Sequence, residues 1–70
     1  MPARDIDYAA TAVETAIHEK FGRHNDLTSL KVSAGATTIS VSDGDHAIVG
    51  SRDDLLARLR RSGTYAEMWQ

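Results

Sequence analysis

Cysteine is missing from the 70 residues. Its absence excludes a disulfide framework, a thiolate nucleophile, a cysteine-based zinc site and an iron–sulfur cluster, and with no export signal visible the cytoplasm is the expected location. Long apolar runs are missing too. The longest wholly apolar stretches, such as Tyr8 to Ala10 and Ala47 to Val49, fall far short of the roughly 20 residues of a bilayer-crossing helix and are too short for a signal-peptide core, so no membrane is expected as a partner. Neither sign of charge dominates: 8 Lys and Arg face 10 Asp and Glu, which announces no strongly charged partner surface. No glycine-rich loop precedes a lysine, so nucleotide chemistry has no support. Repeats, linkers and low-complexity segments are also absent, and the aromatic residues are limited to Tyr8, Phe21, Tyr65 and Trp69.

What remains is 41% hydrophobic residues without a polar tract, the composition of one small folded domain spanning residues 1–70. Natural domains this small, lacking disulfide and metal, often gain core by self-association, and a homodimer is expected on that ground.

The apolar spacing orders the chain. Ile6, Ala10, Val13, Ile17 and Phe21 recur three and four residues apart and predict an amphipathic helix from about Asp5 to Phe21. Thr11, Glu14, Thr15 and His18 take its polar face, Asp5 and Asp7 complement the dipole, and Gly22 suits a left-handed C-terminal cap. Glu19 and Arg23 have the spacing of a favourable ion pair. Arg23 to Thr28 reads as a connector turned by Asn25 and Asp26 and pinned to the core by Leu27. Leu30 and Val32 then alternate with Lys31 and Ser33, Ala34 and Gly35 form a tight turn, and Thr37, Ile39 and Val41 alternate with Thr38, Ser40 and Ser42. A second turn at Asp43, Gly44 and Asp45 leads to a strand over His46 to Val49, ended by Gly50. Ser51 caps a second helix whose stripe is Leu55, Leu56 and Leu59, with Asp54 placed to bond back and to pair with Arg58, and with Gly63 closing the helix. Thr64 and Glu67 predict one capped terminal turn carrying Tyr65, Met68 and Trp69. The predicted fold is therefore α+β: helix, three-stranded antiparallel meander, helix on the same sheet face, aromatic end. Ile39 and Val41 should face the helices, leaving Lys31, Thr38, Ser40 and Ser42 wet.

Chemistry-bearing constellations are sparse. Glu14 and His18 lie one helical turn apart, but a metal site needs three or four ligands, and no metal or cofactor is expected. Ser42-Asp43-Gly44-Asp45-His46 brings a hydroxyl, two carboxylates and an imidazole together in sequence, although Asp-Gly is itself a hairpin signal and a plain turn is the expectation. Arg58, Arg60 and Arg61 crowd the end of the second helix. Together with Arg52 they set four positive charges against Asp53, Asp54 and Glu67 in the last twenty residues, making these three arginines candidate phosphate contacts, although the helix dipole alone accounts for cations there. Half of the chain's aromatics stand at its C-terminus. Tyr65, Met68 and Trp69 are accordingly the candidate interface, Tyr, Trp and Met being enriched at protein contacts, and the strand edges, poor in charge, form a second candidate surface.

The order helix, three strands, helix resembles that of the double-stranded RNA-binding domain. That family begins its last helix with lysines where this chain has Ser51-Arg52-Asp53-Asp54, and those aspartates would repel phosphates. The run from Asp43-Gly44 through Gly50-Ser51-Arg52-Asp53-Asp54-Leu55-Leu56-Ala57-Arg58 to Ser62-Gly63-Thr64-Tyr65-Ala66-Glu67-Met68-Trp69-Gln70 resembles the C-terminal end of ABC-exporter ATPase domains. With no Walker motif present, this implies a similar hairpin, capped helix and aromatic end and no catalytic residue. The layout is also similar to that of small virion-assembly proteins. The functional expectation is a non-enzymatic interaction module, a small homo-oligomeric accessory, assembly or regulatory subunit. The alternative is a nucleic-acid-binding domain using the arginines. An enzyme ranks last because no nucleophile and base are matched, and 70 residues should leave little room for a pocket of about 300 Å3 or more.

Overall fold

The computed structural model describes residues 5–70. The apolar stripe of the first segment winds into helix α1, Asp5–Phe21, and buries Ala10, Val13, Ile17 and Phe21. Thr11, Glu14, Thr15 and His18 face water. Strands β1 (Lys31–Ala34), β2 (Ile39–Ser42) and β3 (Ala47–Gly50) follow, then helix α2 (Arg52–Arg61) and the single turn α3 (Tyr65–Met68). The architecture is α+β in the predicted α-β-β-β-α order. Among the described residues no helix is long and apolar enough to cross a membrane.

The sheet is an open antiparallel meander with β2 in the centre and β1 and β3 at its edges. Side chains alternate between its faces. Ile39 and Val41 are 0% exposed beneath the helices, and in register with them stand Ala34 and Gly50, and Val32 and Ile48. The opposite face carries Lys31, Ser33, Ser40, Ser42, Ala47 and Val49, and among the described residues no element covers it. α1 packs across β1 and β2, α2 packs on α1 and β3, and α3 closes against α2. Leu27, Leu55, Leu59 and Met68 complete the core.

The ends of the elements differ from expectation. Gly22 is not in the left-handed region; among the described glycines only Gly44 has positive φ, at 99°. α1 is instead finished by the Asn25 side-chain amide and the His24 N–H, both donating to Phe21 O, at 3.1 and 3.2 Å. Gly22 is needed for a different reason, since a Cβ there would run into His18 O. Arg23 lies past the last helical turn and makes no ion pair with Glu19. The first hairpin also turns later than predicted. Gly35 N–H donates to Thr38 O at 2.7 Å, so Ala34 belongs to β1 while Thr37 and Thr38 belong to the turn.

Ser51 caps α2 as expected, its Oγ accepting from Asp54 N–H at 3.1 Å. The far end is closed by Ser62, not Gly63. The Ser62 hydroxyl donates to Arg58 O at 2.7 Å and its N–H is shared between Arg58 O and Leu59 O, while Lys20 reaches Leu59 O from α1. This use of its polar groups explains how Ser62 is buried. At α3, Thr64 Oγ1 accepts from Glu67 N–H, and the Glu67 carboxylate accepts from Gly63 N–H at 2.9 Å, one residue earlier than a capping box would place it.

Candidate functional site

The second hairpin and the C-terminal turn meet at one corner of the molecule. Gly44 provides the positive φ that reverses the chain, and Asp43 supplies the bonds that hold the reversal. Asp43 Oδ1 accepts from His46 N–H at 3.0 Å and Asp45 N–H at 3.3 Å, and stands 3.3 Å from His46 Nδ1. Its other oxygen accepts from the Tyr65 hydroxyl at 3.2 Å, across 22 residues of sequence. Asp43 and His46, expected only as parts of a plain turn, are thus in direct contact and joined to the aromatic end.

The aromatic rings form a path from core to surface. Phe21 meets Tyr65 edge-on at 5.7 Å, Tyr65 meets Trp69 edge-on at 5.7 Å, and Trp69 stacks on the His46 imidazole at 5.3 Å. Of the three predicted interface residues, Met68 is 2% exposed and is a core residue, not one that a partner can touch. Tyr65 and Trp69 sit at the rim, half-buried. Among the described residues the buried Trp69 indole nitrogen has no partner in full hydrogen-bond geometry, although the Trp69 side chain is close enough to the Tyr65 hydroxyl to act on it.

Burial alone would raise the Asp43 carboxyl, but the donors from the His46 backbone and ring, the Tyr65 hydroxyl and Asp45 N–H outweigh it and hold the group below its ordinary value. Burial, with the neighbouring Asp43 charge and the hydrogen bond to it, pushes the Tyr65 hydroxyl up to about 12. Asp43 is therefore a fixed anion and Tyr65 a fixed donor at neutral pH. Both carboxylate oxygens of Asp43 are engaged in holding the turn and the tail.

The predicted phosphate contacts separate. Arg58 turns away from Asp54 and donates to Met68 O at 3.1 Å and to Gln70 O, anchoring the C-terminal turn. Arg60 and Arg61 are exposed. Among the described residues no three His, Cys, Asp or Glu side chains converge as a metal would require, and Glu14 and His18 stay on the wet face of α1. Open grooves of about 480 Å3 by Arg58, Arg61 and Gln70, and about 420 Å3 between Lys20 and Tyr65, mark the surface. Both are open to solvent and neither is an enclosed pocket. The chain has too few residues to enclose such a space, and leaves it as a groove.

No family model, curated protein or solved structure matches this chain.

The second candidate surface adjoins the first. His46, stacked under Trp69, is the residue before β3, and Ile48 and Trp69 are both partly buried hydrophobic residues packed against the core. On the uncovered face Val49 is 64% exposed. The aromatic corner and β3 therefore adjoin, with His46, Ile48 and Trp69 on the helix side of the sheet and Val49 on the uncovered face.

Proposed function

We propose that the chain is a non-enzymatic protein–protein interaction module, working in the cytoplasm as a small homo-oligomeric accessory or regulatory subunit. The observation that carries this reading is the edge strand β3, paired with β2 on one side only, with Val49 exposed on the uncovered face and Ile48 and Trp69 only partly buried on the other. Exposed apolar surface and charge-poor strand edges are features of association sites. The Asp43 constellation supports a structural role at the same corner, because its carboxylate is spent on hydrogen bonds that lock the turn to the tail. Nucleic-acid binding gains nothing from the arginines: Arg58 is occupied by carbonyls of the C-terminal turn, which leaves a weak patch.

Sedimentation equilibrium across a concentration series tests the proposal. The expected result is a mass rising from one chain toward an integral multiple. A single-chain mass at every concentration, up to about 1 mM, counts against the homo-oligomeric subunit.

A further inference from the structure

We infer that β3 pairs antiparallel with β3 of a second copy, on a twofold axis through Ile48. The inference deepens the interaction reading above and rests on it. Its ground is the hydrogen-bond parity of the second hairpin. Asp43 N–H donates to His46 O at 3.1 Å, so this opposed pair is hydrogen-bonded, and bonded and unbonded pairs alternate along an antiparallel ladder. With Ser42 opposite Ala47, Val41 opposite Ile48 and Ser40 opposite Val49, Ile48 bonds inward to β2. The N–H and C=O of Ala47 and Val49 point outward. Among the described residues no hydrogen bond reaches them.

Those outward groups are self-complementary. An axis at Ile48 sets Ala47 opposite the second copy's Val49, and Val49 opposite the second copy's Ala47, giving four backbone hydrogen bonds from two short strands. Opposed residues share a face. Ile48 therefore meets its own copy on the helix-covered side, extending the core row of Val32, Val41 and Ile48, while the exposed Val49 covers the second copy's Ala47. A register shifted by one residue would turn the inward-bonded groups of Ile48 toward the partner and lose the match.

Charge selects the same edge and the same occupant. β3, Ala47–Gly50, contains no charged residue, so self-pairing opposes no like charges within the strand. The other edge carries Lys31, the kind of residue that discourages pairing, and a β1-to-β3 contact would be head-to-tail and open-ended, whereas β3 to β3 closes. Just beyond the strand, the Ile48 axis brings Asp45 opposite the second copy's Ser51 and hence beside its Arg52. Arg52 is exposed, and among the described residues its ion pair is with the adjacent Asp53, at 3.4 Å. The dimer offers it Asp45, twice by symmetry.

The test is sedimentation equilibrium of the full chain and its variants. Val49→Pro removes one outward N–H per chain and no bond of the β2–β3 ladder. Val49→Lys leaves the backbone intact and places a charge on the edge. Both should raise the dimer dissociation constant by about tenfold or more, through two lost hydrogen bonds per dimer in the first case, with circular dichroism unchanged. Arg52→Asp and Asp45→Arg should each weaken the dimer, and their combination should restore it. A dimer that withstands both Val49 variants overturns the edge pairing and leaves the oligomeric reading standing. Failure of the charge swap to restore association overturns the Ile48 register. A wild-type chain that stays monomeric to about 1 mM overturns the pairing and the homo-oligomeric reading together.

Discussion

At the scale of single residues, Asp43 links the most otherwise separate parts of the molecule. Asp43→Asn keeps an acceptor oxygen but loses the charge, and should cost about 1–2 kcal/mol in urea unfolding, hydrogen bonds to charged groups being the stronger kind. The pH dependence has a definite sign. A carboxyl held below its ordinary value contributes stability above the ordinary carboxylate range and loses it as pH falls through the folded value. The gap between wild type and Asp43→Asn should therefore close on acidification. Tyr65 works in the other direction: its hydroxyl is raised from 10.0 to about 12, so its contribution is complete below pH 10.0 and is lost as pH climbs toward 12. Tyr65→Phe should remove the phenolate absorbance step near pH 12 and flatten that alkaline loss. At Trp69 the buried indole nitrogen makes no well-formed hydrogen bond among the described residues, so Trp69→Phe should cost clearly less than Trp69→Ala. The alanine change should itself stay below the roughly 3–5 kcal/mol of a fully buried tryptophan, because Trp69 is only half-buried. None of these couplings is legible in the sequence, where Asp43 and Tyr65 stand 22 positions apart.

At the scale of elements, local pattern carried most of the information. Spacing of three and four placed α1 at Asp5–Phe21 with its buried residues, and alternation placed Ile39 and Val41 inward. The ends of elements were less legible, since several side chains and carbonyls compete for the same unpaired backbone groups. Both glycines expected as helix caps show this. Gly22→Ala should destabilise by more than about 1 kcal/mol, because its Cβ would run into the His18 carbonyl. Gly63→Ala meets only the end of the Glu67 side chain, at 3.5 Å, and should be neutral, or stabilising by about 0.4–1 kcal/mol through reduced freedom of the unfolded chain. Ser62→Ala removes the hydroxyl bond to Arg58 O while the backbone N–H bond to it stays, and should cost about 1 kcal/mol. Chemical denaturation of the three variants, compared at one concentration, orders them.

At the scale of the whole molecule, two helices cover one side of a three-stranded sheet, and among the described residues the other side and both edges are left open. Pairing through β3 carries a prediction that amide exchange can check position by position. The Ala47 and Val49 amides should exchange rapidly in dilute solution and gain protection as concentration rises, while the Ile48 amide, bonded to β2, stays protected throughout. The element order, the helix stripes, the inward face of β2 and the presence of an aromatic end follow from the sequence alone, because periodicity and turn chemistry act between residues a few positions apart. That Met68 lies in the core, that Arg58 anchors the tail instead of facing phosphate, and that Asp43, His46, Tyr65 and Trp69 share a corner was decided only by tertiary packing. These outcomes depend on which segments come together once the helices bury the sheet, and that depends on the shape and volume of the whole core, which no local spacing encodes.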